Sequence, residues 1–319
     1  MPYASTLFEA GELLQADQIL AEHLVAAREA SMPDHMICAY VLRSRIAHAR
    51  DDIVEALRFL CELEHEGLQR HLPRVAACAN LERSRLLVLL GRHDAAEQAL
   101  ARAEELFDWR SADRLMLPVH EAYDPVIARI RLQLARDEIT KASRLIATES
   151  ALPSTHRPRR MKLDILGAIA AWKKGETKQA CESVRLLLRL CTEEGYFRIV
   201  VDEGLGVLPI LQRLLVEVAN GPRGARDPIL QELIERMLGA LGLPPSGAEL
   251  QEKLESALTH KEFDILQALT EGRSNQDISE QFGISDSTVR THLRSINLKL
   301  GAHSRSQAVA AGRRLMLLR

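Results

Sequence analysis

The sequence has few aromatic residues and only a few scattered cysteines. Aromatic side chains make up 4% of the 319 residues. This argues against an all-β protein, because aromatic and β-branched residues dominate strands. The five cysteines are Cys38, Cys61, Cys78, Cys181 and Cys191, and no two of them form a C-x-x-C pair. Their spacing therefore indicates neither a disulfide framework nor a zinc site.

Membrane and export signals are also missing. No apolar run approaches the ~20 residues that a membrane-spanning helix needs. The first residues include Glu9 and Glu12, where a secretory signal would be cationic and then apolar. We therefore expect a cytoplasmic protein that has no membrane segment.

Signatures of catalytic chemistry are absent as well. There is no G-x-x-x-x-G-K-[ST] motif, and the nearest Gly/Lys stretch, AWKKGETK, lacks the spacing of a phosphate-binding loop. His65 and His71 are about 240° apart around a helix, so they do not share a face as zinc-binding histidines at i and i+4 would. The sequence predicts no catalytic residue, no metal ligand and no cofactor, and we do not expect an enzyme.

The sequence is rich in helix-forming residues, and its charge is unevenly distributed. Leu, Ala, Arg, Glu and Gln dominate, which favours helices. The overall net charge is −2, but residues 258–319 hold nine Lys/Arg and six Asp/Glu, a net charge of +3. The rest of the chain is therefore at −5. A concentrated basic end indicates an anionic polymer as a partner.

A short pattern recurs five times in the first two-thirds of the chain. Gly or Asp is followed five residues later by Ala and four residues after that by an apolar residue. The first members lie 40, 40, 46 and 38 residues apart. Gly or Asp suits the turn between two helices, and Ala allows the helices to approach closely. The pattern predicts stacked helical hairpins, with these members: Gly11–Ala16–Leu20, Asp51–Ala56–Leu60, Gly91–Ala96–Leu100, Asp137–Ala142–Ile146 and Gly175–Ala180–Val184.

An arginine lies six residues before the turn in the three middle repeats, at Arg45, Arg85 and Arg131. These arginines could line a ligand-binding groove. A solvated role, or one in pairing helices, is the favoured interpretation.

The repeats, together with EEGYFRIVVDEG at 193–204, resemble the tetratricopeptide-like repeat domain of MalT-type regulators. That resemblance implies a superhelix, and the 193–204 segment matches the stretch that closes the domain in that family. MalT-type proteins normally also carry a P-loop NTPase. By this resemblance the chain is either a fragment or a shortened relative without ATPase control.

The last sixty residues have the pattern of a helix-turn-helix. Helix-start signals at Thr259, Ser274, Ser285 and Ser304, with Gly residues between the helices, predict four short helices. In the third of them, apolar residues spaced for one face are expected to lie in the core, namely Val289, Leu293, Ile296 and Leu300. Basic and hydroxyl residues lie opposite. An exposed arginine can pair with guanine, and a threonine can contact a thymine methyl.

The run GRSNQDISEQFGISDSTVRTHLRSINLKLGAHSRSQAV is similar to the LuxR/FixJ-type helix-turn-helix. That resemblance implies double-stranded DNA as a partner and assigns base reading to Arg290, Thr291 and Arg294. It also implies backbone contacts, or a polar role in the fold, at these positions: Ser274, Asn275, Thr288, Lys299 and Arg305. Asp277, Arg290 and Ala302 depart mildly from the family pattern, which affects base preference and packing.

The predicted architecture is all-α. A TPR-like superhelical stack of helical hairpins occupies residues 1–219, a partly helical linker 220–257, and a four-helix LuxR-type DNA-binding domain 258–319. The predicted function is transcriptional regulation, with activation expected, and RNA polymerase is a further partner implied by the resemblance. The alternative is an adaptor that uses its repeats to bind another protein and has secondary DNA affinity.

Two further interactions are expected. A small-molecule or protein effector would dock on the repeats, and the candidate residues are Trp109, Tyr123, Tyr196 and Phe197. The alternative is that they pack in the core, which is the favoured interpretation of each residue taken singly. The apolar end of the final helix, with Met316, Leu317 and Leu318, would pair two protomers. The same residues could instead dock onto the repeat domain and hold the DNA-binding module silent.

Overall fold

The computed structural model describes the chain as helices that form two separate units. The described residues are 2–30, 32–109, 124–152, 157–219, 227–242, 260–270, 273–300, 305 and 309. Contacts divide the chain into Met1–Leu241 and Gly242–Arg319. The described residues contain sixteen α-helices, one 3₁₀ turn and no strand, which confirms the all-α prediction.

The first unit contains thirteen of the helices. Ten of them form five hairpins in chain order, and the other three follow the fifth hairpin. Their bounds are α1 Pro2–Ala10, α2 Leu13–Glu29, α3 Pro33–Ala49, α4 Ile53–Gln69, α5 Pro73–Leu89, α6 His93–Leu106, α7 Pro125–Ala135, α8 Ile139–Ala151, α9 Arg157–Lys173, α10 Thr177–Glu194, α11 Arg198–Val201, α12 Leu208–Ala219 and α13 Pro228–Ala240.

The repeated sequence pattern corresponds to the hairpin turns. All five turn residues, from Gly11 to Gly175, have positive φ, including the two aspartates at 63° and 57°. The five alanines of the pattern are all fully buried, at 0% exposure. The burial expected of a small residue at a contact between helices is therefore found in every repeat.

The first helices of the hairpins form one layer. α3 contacts α5, α5 contacts α7, and α7 contacts α9. A serine on the first helix also donates to the carbonyl of the repeat alanine, from Ser44 to Ala56 at 2.9 Å and from Ser84 to Ala96 at 2.8 Å. These two bonds are 40 residues apart, and they fix α3 against α4 and α5 against α6.

The chain then returns to the first-helix layer. Residues 197–206, called here the inner segment, comprise Phe197, α11 and the 3₁₀ turn Gly204–Gly206. Next, α12 packs on α10, and α13 packs on α12 and α10. The segment 220–257 was predicted to be a partly helical linker. Its helix α13 has a buried face (Leu230, Ile234, Met237 and Leu238) and contributes to the core of the first unit.

The second unit contains α14 His260–Thr270, α15 Asn275–Phe282 and α16 Asp286–Leu300. Its core is formed by apolar side chains from all three helices, namely Ile265, Leu266, Ala268, Leu269, Ile278, Val289 and Ile296. Phe282, Ile284, Leu293 and Val309 pack against that core. The buried face predicted for the third helix is confirmed at Val289, Leu293 and Ile296, while the side chain of Leu300 lies outside the described residues.

Candidate functional site

The turn between α15 and α16 presents α16 as a recognition helix. Gly283 ends α15 in a left-handed conformation, with φ of 61°. The N–H of Ile284 then bonds to the carbonyl of Ser279 at 3.1 Å. Ser285 starts α16, because its Oγ accepts from the N–H of Thr288 at 3.1 Å. This tight turn places two helices as a helix-turn-helix requires.

The outward face of α16 carries the predicted base-reading residues. Arg290 is exposed, and its Nε donates to Asp286 at 2.8 Å. Thr291 is also exposed, and its hydroxyl donates to the carbonyl of Ser287 at 3.0 Å. Because that hydroxyl is already bonded, the methyl group of Thr291 is the part suited to a thymine methyl. The side chains of Arg294 and Lys299 lie outside the described residues.

Five residues were predicted to contact the DNA backbone or to serve a polar role in the fold, and three of them form bonds within the protein. Ser274 forms a capping box with Asp277, in which its Oγ accepts from the Asp277 N–H at 3.2 Å. The Ser274 hydroxyl and N–H both bond to the Asp277 carboxylate, which lowers the pKa of that carboxyl.

Thr288 Oγ1 lies 2.8 Å from Ser285 Oγ, and Arg305 donates to the carbonyl of Arg273. Asn275, the first residue of α15, is partly exposed.

The aromatic residues predicted to bind an effector lie in two places. Trp109 is partly buried, its indole N–H donates to the carbonyl of Ala103 at 3.1 Å, and its ring packs edge-on against Phe107. Tyr196 and Phe197 lie together beside α13 and line a cleft of about 280 Å³. Tyr123 lies outside the described residues.

The cleft beside α13 combines apolar surface with a few polar groups. Its walls come from the end of α1, the end of α10 and one face of α13, where Ile229 is 64% exposed. The guanidinium carbon of Arg236 lies 5.3 Å from the centre of the Phe197 ring. Burial, reinforced by the carboxylates of Glu194 and Glu9, raises the pKa of Tyr196, so its hydroxyl stays protonated and can donate.

A buried ionic cluster in the repeat domain was missed by the sequence interpretation. It comprises five cations and three carboxylates, each at most 7% exposed: Arg45, Arg85, Arg131, Lys162, Arg198, Glu82, Asp202 and Glu203. Arg45 Nε and Nη2 donate to Glu82 at 3.0 and 2.7 Å, and Arg85 Nε donates to the same carboxylate at 2.7 Å. Burial acts to raise the pKa of Glu82, but the charges of Arg45 and Arg85 lower it overall.

The inner segment completes this cluster. Glu203 accepts from Arg131 Nε at 3.0 Å and from Lys162 Nζ at 2.7 Å. The carbonyl of Asp202 accepts from Arg85 at 3.1 Å, and its carboxylate lies 3.6 Å from Arg45. Burial opposes ionisation of Asp202, but nearby cations, above all Arg198, lower the pKa of its carboxyl overall.

The inner segment reaches α1 as well. The Ile199 N–H donates to Glu9 at 3.1 Å, and the Arg198 guanidinium lies 5.4 Å from the Phe8 ring centre. The segment therefore contacts the first helix of every hairpin.

Of the two roles favoured for Arg45, Arg85 and Arg131, the solvated one is wrong, and the pairing of helices is what the structure shows, for example between Arg45 of α3 and Glu82 of α5. All three are buried and paired with carboxylates: Arg45 with Glu82 of a later helix, Arg131 with Glu203 of the inner segment, and Arg85 with Glu82 on its own helix. The 40-residue spacing of Arg45 and Arg85, together with the acidic pair at 202–203, was the available signal.

Neither a membrane span nor a metal site is found among the described residues. No helix there is long and apolar enough to cross a bilayer. Within the same ranges, no group of three or more His, Cys, Asp or Glu side chains is arranged to hold a metal ion.

Comparison with protein families gives two matches that follow the two units. The family described as "MalT-like TPR region" matches residues 1–217. The family described as "Bacterial regulatory proteins, luxR family" matches residues 256–311. No solved structure matches the chain.

Three curated relatives illustrate the similarity. The HTH-type transcriptional regulator MalT of Vibrio cholerae is 23% identical, over 95% of this chain and 34% of the relative. MalT of Yersinia enterocolitica is 25% identical, over 89% of this chain and 32% of the relative. The HTH-type transcriptional activator RamA of Corynebacterium glutamicum is 35% identical, over 27% of each chain. The chain thus spans about a third of the length of the MalT relatives.

Proposed function

The chain belongs to the MalT-like TPR family and carries a luxR-type regulatory module, and from this premise we propose that it regulates transcription by binding specific double-stranded DNA. Activation is the proposed direction, supported by the similarity of 27% of the chain to a transcriptional activator. The proposed place of action is the cytoplasm, where bacterial DNA lies. The repeat domain would receive the regulatory signal.

The observation that carries this proposal is the geometry of α16. A tight turn presents the helix, Val289 and Ile296 anchor one face in the core, and Arg290 and Thr291 are exposed on the other. An arginine and a methyl-bearing side chain on one exposed helix face match the groups that base edges present in a major groove.

DNA binding by the full-length chain tests the proposal. We expect log K to fall linearly with log salt concentration, because cationic side chains displace counterions from phosphates. Arg290→Ala should weaken binding and reduce sequence discrimination. Arg58→Ala is the matched control, because it removes the same charge from an exposed site on α4.

The adaptor alternative predicts a different result in the same experiment. An adaptor would bind a protein through its repeats and would discriminate little between DNA sequences. Equal affinity for all duplexes, together with equal effects of Arg290→Ala and Arg58→Ala, would contradict the regulator proposal.

We further propose that the effector site is the cleft beside α13. Tyr196, Phe197 and Arg236 supply aromatic faces and hydrogen-bond donors in a concave site, which is the usual composition of a ligand pocket. A homodimer formed through the C-terminal helix, and contact with RNA polymerase, complete the proposed set of partners by family resemblance.

The effector proposal can be tested by thermal shift with a panel of small molecules. A compound that binds in the cleft should raise the melting temperature of the wild type and lose this effect in Tyr196→Ala. Tyr3→Ala is the control, since Tyr3 is 64% exposed on α1. Equal shifts in both variants would place the effector elsewhere, and no shift with any compound would leave the repeats as a scaffold or a protein-binding surface.

A further inference from the structure

The first turn of α16 contains an ion pair next to the base-reading residues. Asp286, the first residue of the helix, accepts from Nε of Arg290 at 2.8 Å. The Asp286 side chain is 45% exposed and that of Arg290 is 71% exposed. The pair therefore lies on the surface that would meet DNA.

The carboxylate of Asp286 is not needed to cap the helix. Ser285 fills that role, because its Oγ accepts from the N–H of Thr288 at 3.1 Å. An acidic residue in the first turn also interacts favourably with the helix dipole. The contact with Arg290 is an ordinary pairing of opposite charges at i and i+4 of a helix, and its consequence lies in where it holds the guanidinium.

The contact engages Nε and leaves the terminal nitrogens of the guanidinium for a second partner. Arginine has five N–H donors, one on Nε and four on the two terminal nitrogens. The planar fork of terminal nitrogens matches O6 and N7 of guanine. A side chain that is already restricted loses less conformational entropy when it binds. An arginine held by an ion pair therefore binds its base with a more favourable free energy than an unrestrained one.

We propose that Asp286 is a positioning residue for base recognition. It holds the Arg290 guanidinium so that the terminal nitrogens meet a guanine, and it thereby strengthens the preference for guanine at one base pair. This inference rests on the proposed DNA-binding function. A carboxylate is also repelled by phosphates, so Asp286 lowers the affinity for DNA of any sequence.

These two effects of Asp286 have opposite signs, and the test uses this. A preferred duplex is selected from a random pool with the full-length wild type. The Kd is then measured at one salt concentration for that duplex, for single base-pair variants of it and for an unrelated duplex. The proteins compared are the wild type, Asp286→Asn, Asp286→Glu, Arg290→Ala and the double variant with Asp286→Asn and Arg290→Ala.

Arg290→Ala should abolish the preference at one base pair. Asp286→Asn should weaken that same preference about threefold to tenfold, the size expected of coupled neighbours, while it tightens binding to the unrelated duplex. The double variant should discriminate between base pairs no less than Arg290→Ala alone, because Asp286 acts on base preference through Arg290. Asp286→Glu should restore the preference, because glutamate also pairs with an arginine at i+4.

Two results would overturn the inference while leaving the proposed function intact. One is a uniform change in affinity for all duplexes in Asp286→Asn, which a structural or purely electrostatic role would produce. The other is a lost preference at a different base pair from the one that Arg290→Ala affects. If the wild type selects no sequence, the proposed function itself fails and the inference fails with it, so the two failures are distinguishable.

Discussion

At the scale of single residues, local sequence identified the α16 face but not the ionic cluster. Arg290 and Thr291 lie within a few residues of the turn that orients them, so helix periodicity was enough to place them outside the core. Arg131 and Glu203 are 72 residues apart in sequence. A contact at that separation depends on how the hairpins stack, which local patterns do not specify.

Arg294 and Lys299 of α16 are predicted to contact different parts of the DNA, a base and a phosphate. Arg294→Ala should cost about 1–3 kcal/mol at the preferred site and relax the preference at one base pair, as expected for a base contact. Lys299→Ala should weaken binding to all sequences alike and reduce the salt slope, as expected for a phosphate contact. Both follow from family resemblance and are checked by binding titrations at several salt concentrations. Unchanged affinity and base preference in Arg294→Ala would remove that residue from the site.

The buried carboxylate of Glu203 gives a prediction about stability. Glu203→Gln should destabilise the protein by about 3–5 kcal/mol, because it leaves Arg131 and Lys162 buried without their anion. Glu138→Gln, which breaks an exposed pair with Lys141, is the matched control and should cost less than about 1 kcal/mol. Denaturant unfolding measures both. Similar small losses would show that the cluster is well solvated in solution.

At the scale of secondary-structure elements, the repeat pattern predicted the hairpins because turns and close helix contacts are local. Each turn residue and each alanine has the conformation or burial that its position in the pattern requires. The inner segment was expected only to close the repeat domain. It contacts the first helix of each hairpin, so the layer of first helices is covered by the chain itself.

Two glycines allow the cost of the left-handed backbone conformation at a hairpin turn to be measured. Gly175 has φ of 86° with nothing near an added Cβ, so Gly175→Ala should cost about 1–2 kcal/mol from backbone conformation alone. Gly239 lies in the last turn of α13, also in open space, and Gly239→Ala should instead stabilise by up to about 1 kcal/mol. The two variants make the same chemical change, and their denaturant midpoints should move in opposite directions. Equal shifts would contradict the assignment of a strained turn.

At the scale of the whole molecule, composition and charge predicted a helical protein with a basic end, and the family matches assign those parts to a repeat domain and a DNA-binding module. The predicted domain boundaries, the effector and the assembly state remain predictions. The predicted pairing of protomers rests on the sequence of the final helix, where the structure describes Arg305 and Val309.

Pairing of two protomers gives a prediction that Leu317→Glu can test. If the C-terminal helix pairs protomers, this variant should bind a two-half-site duplex more weakly and keep its affinity for a single half-site, because half-sites about 34 Å apart need two linked recognition helices. If the helix instead docks onto the repeats, the full-length variant should bind DNA more tightly. Sedimentation of the full chain with each duplex measures stoichiometry alongside affinity.

The central claim is that this chain recognises a specific DNA sequence through α16. Genome-wide mapping of bound DNA in the cell that makes the protein tests it most directly, with Arg290→Ala expressed at the same level for comparison. The account predicts discrete bound sites at promoters that share one sequence motif and that are lost in the variant. Binding without a shared motif, or the same sites bound equally by Arg290→Ala, would contradict it.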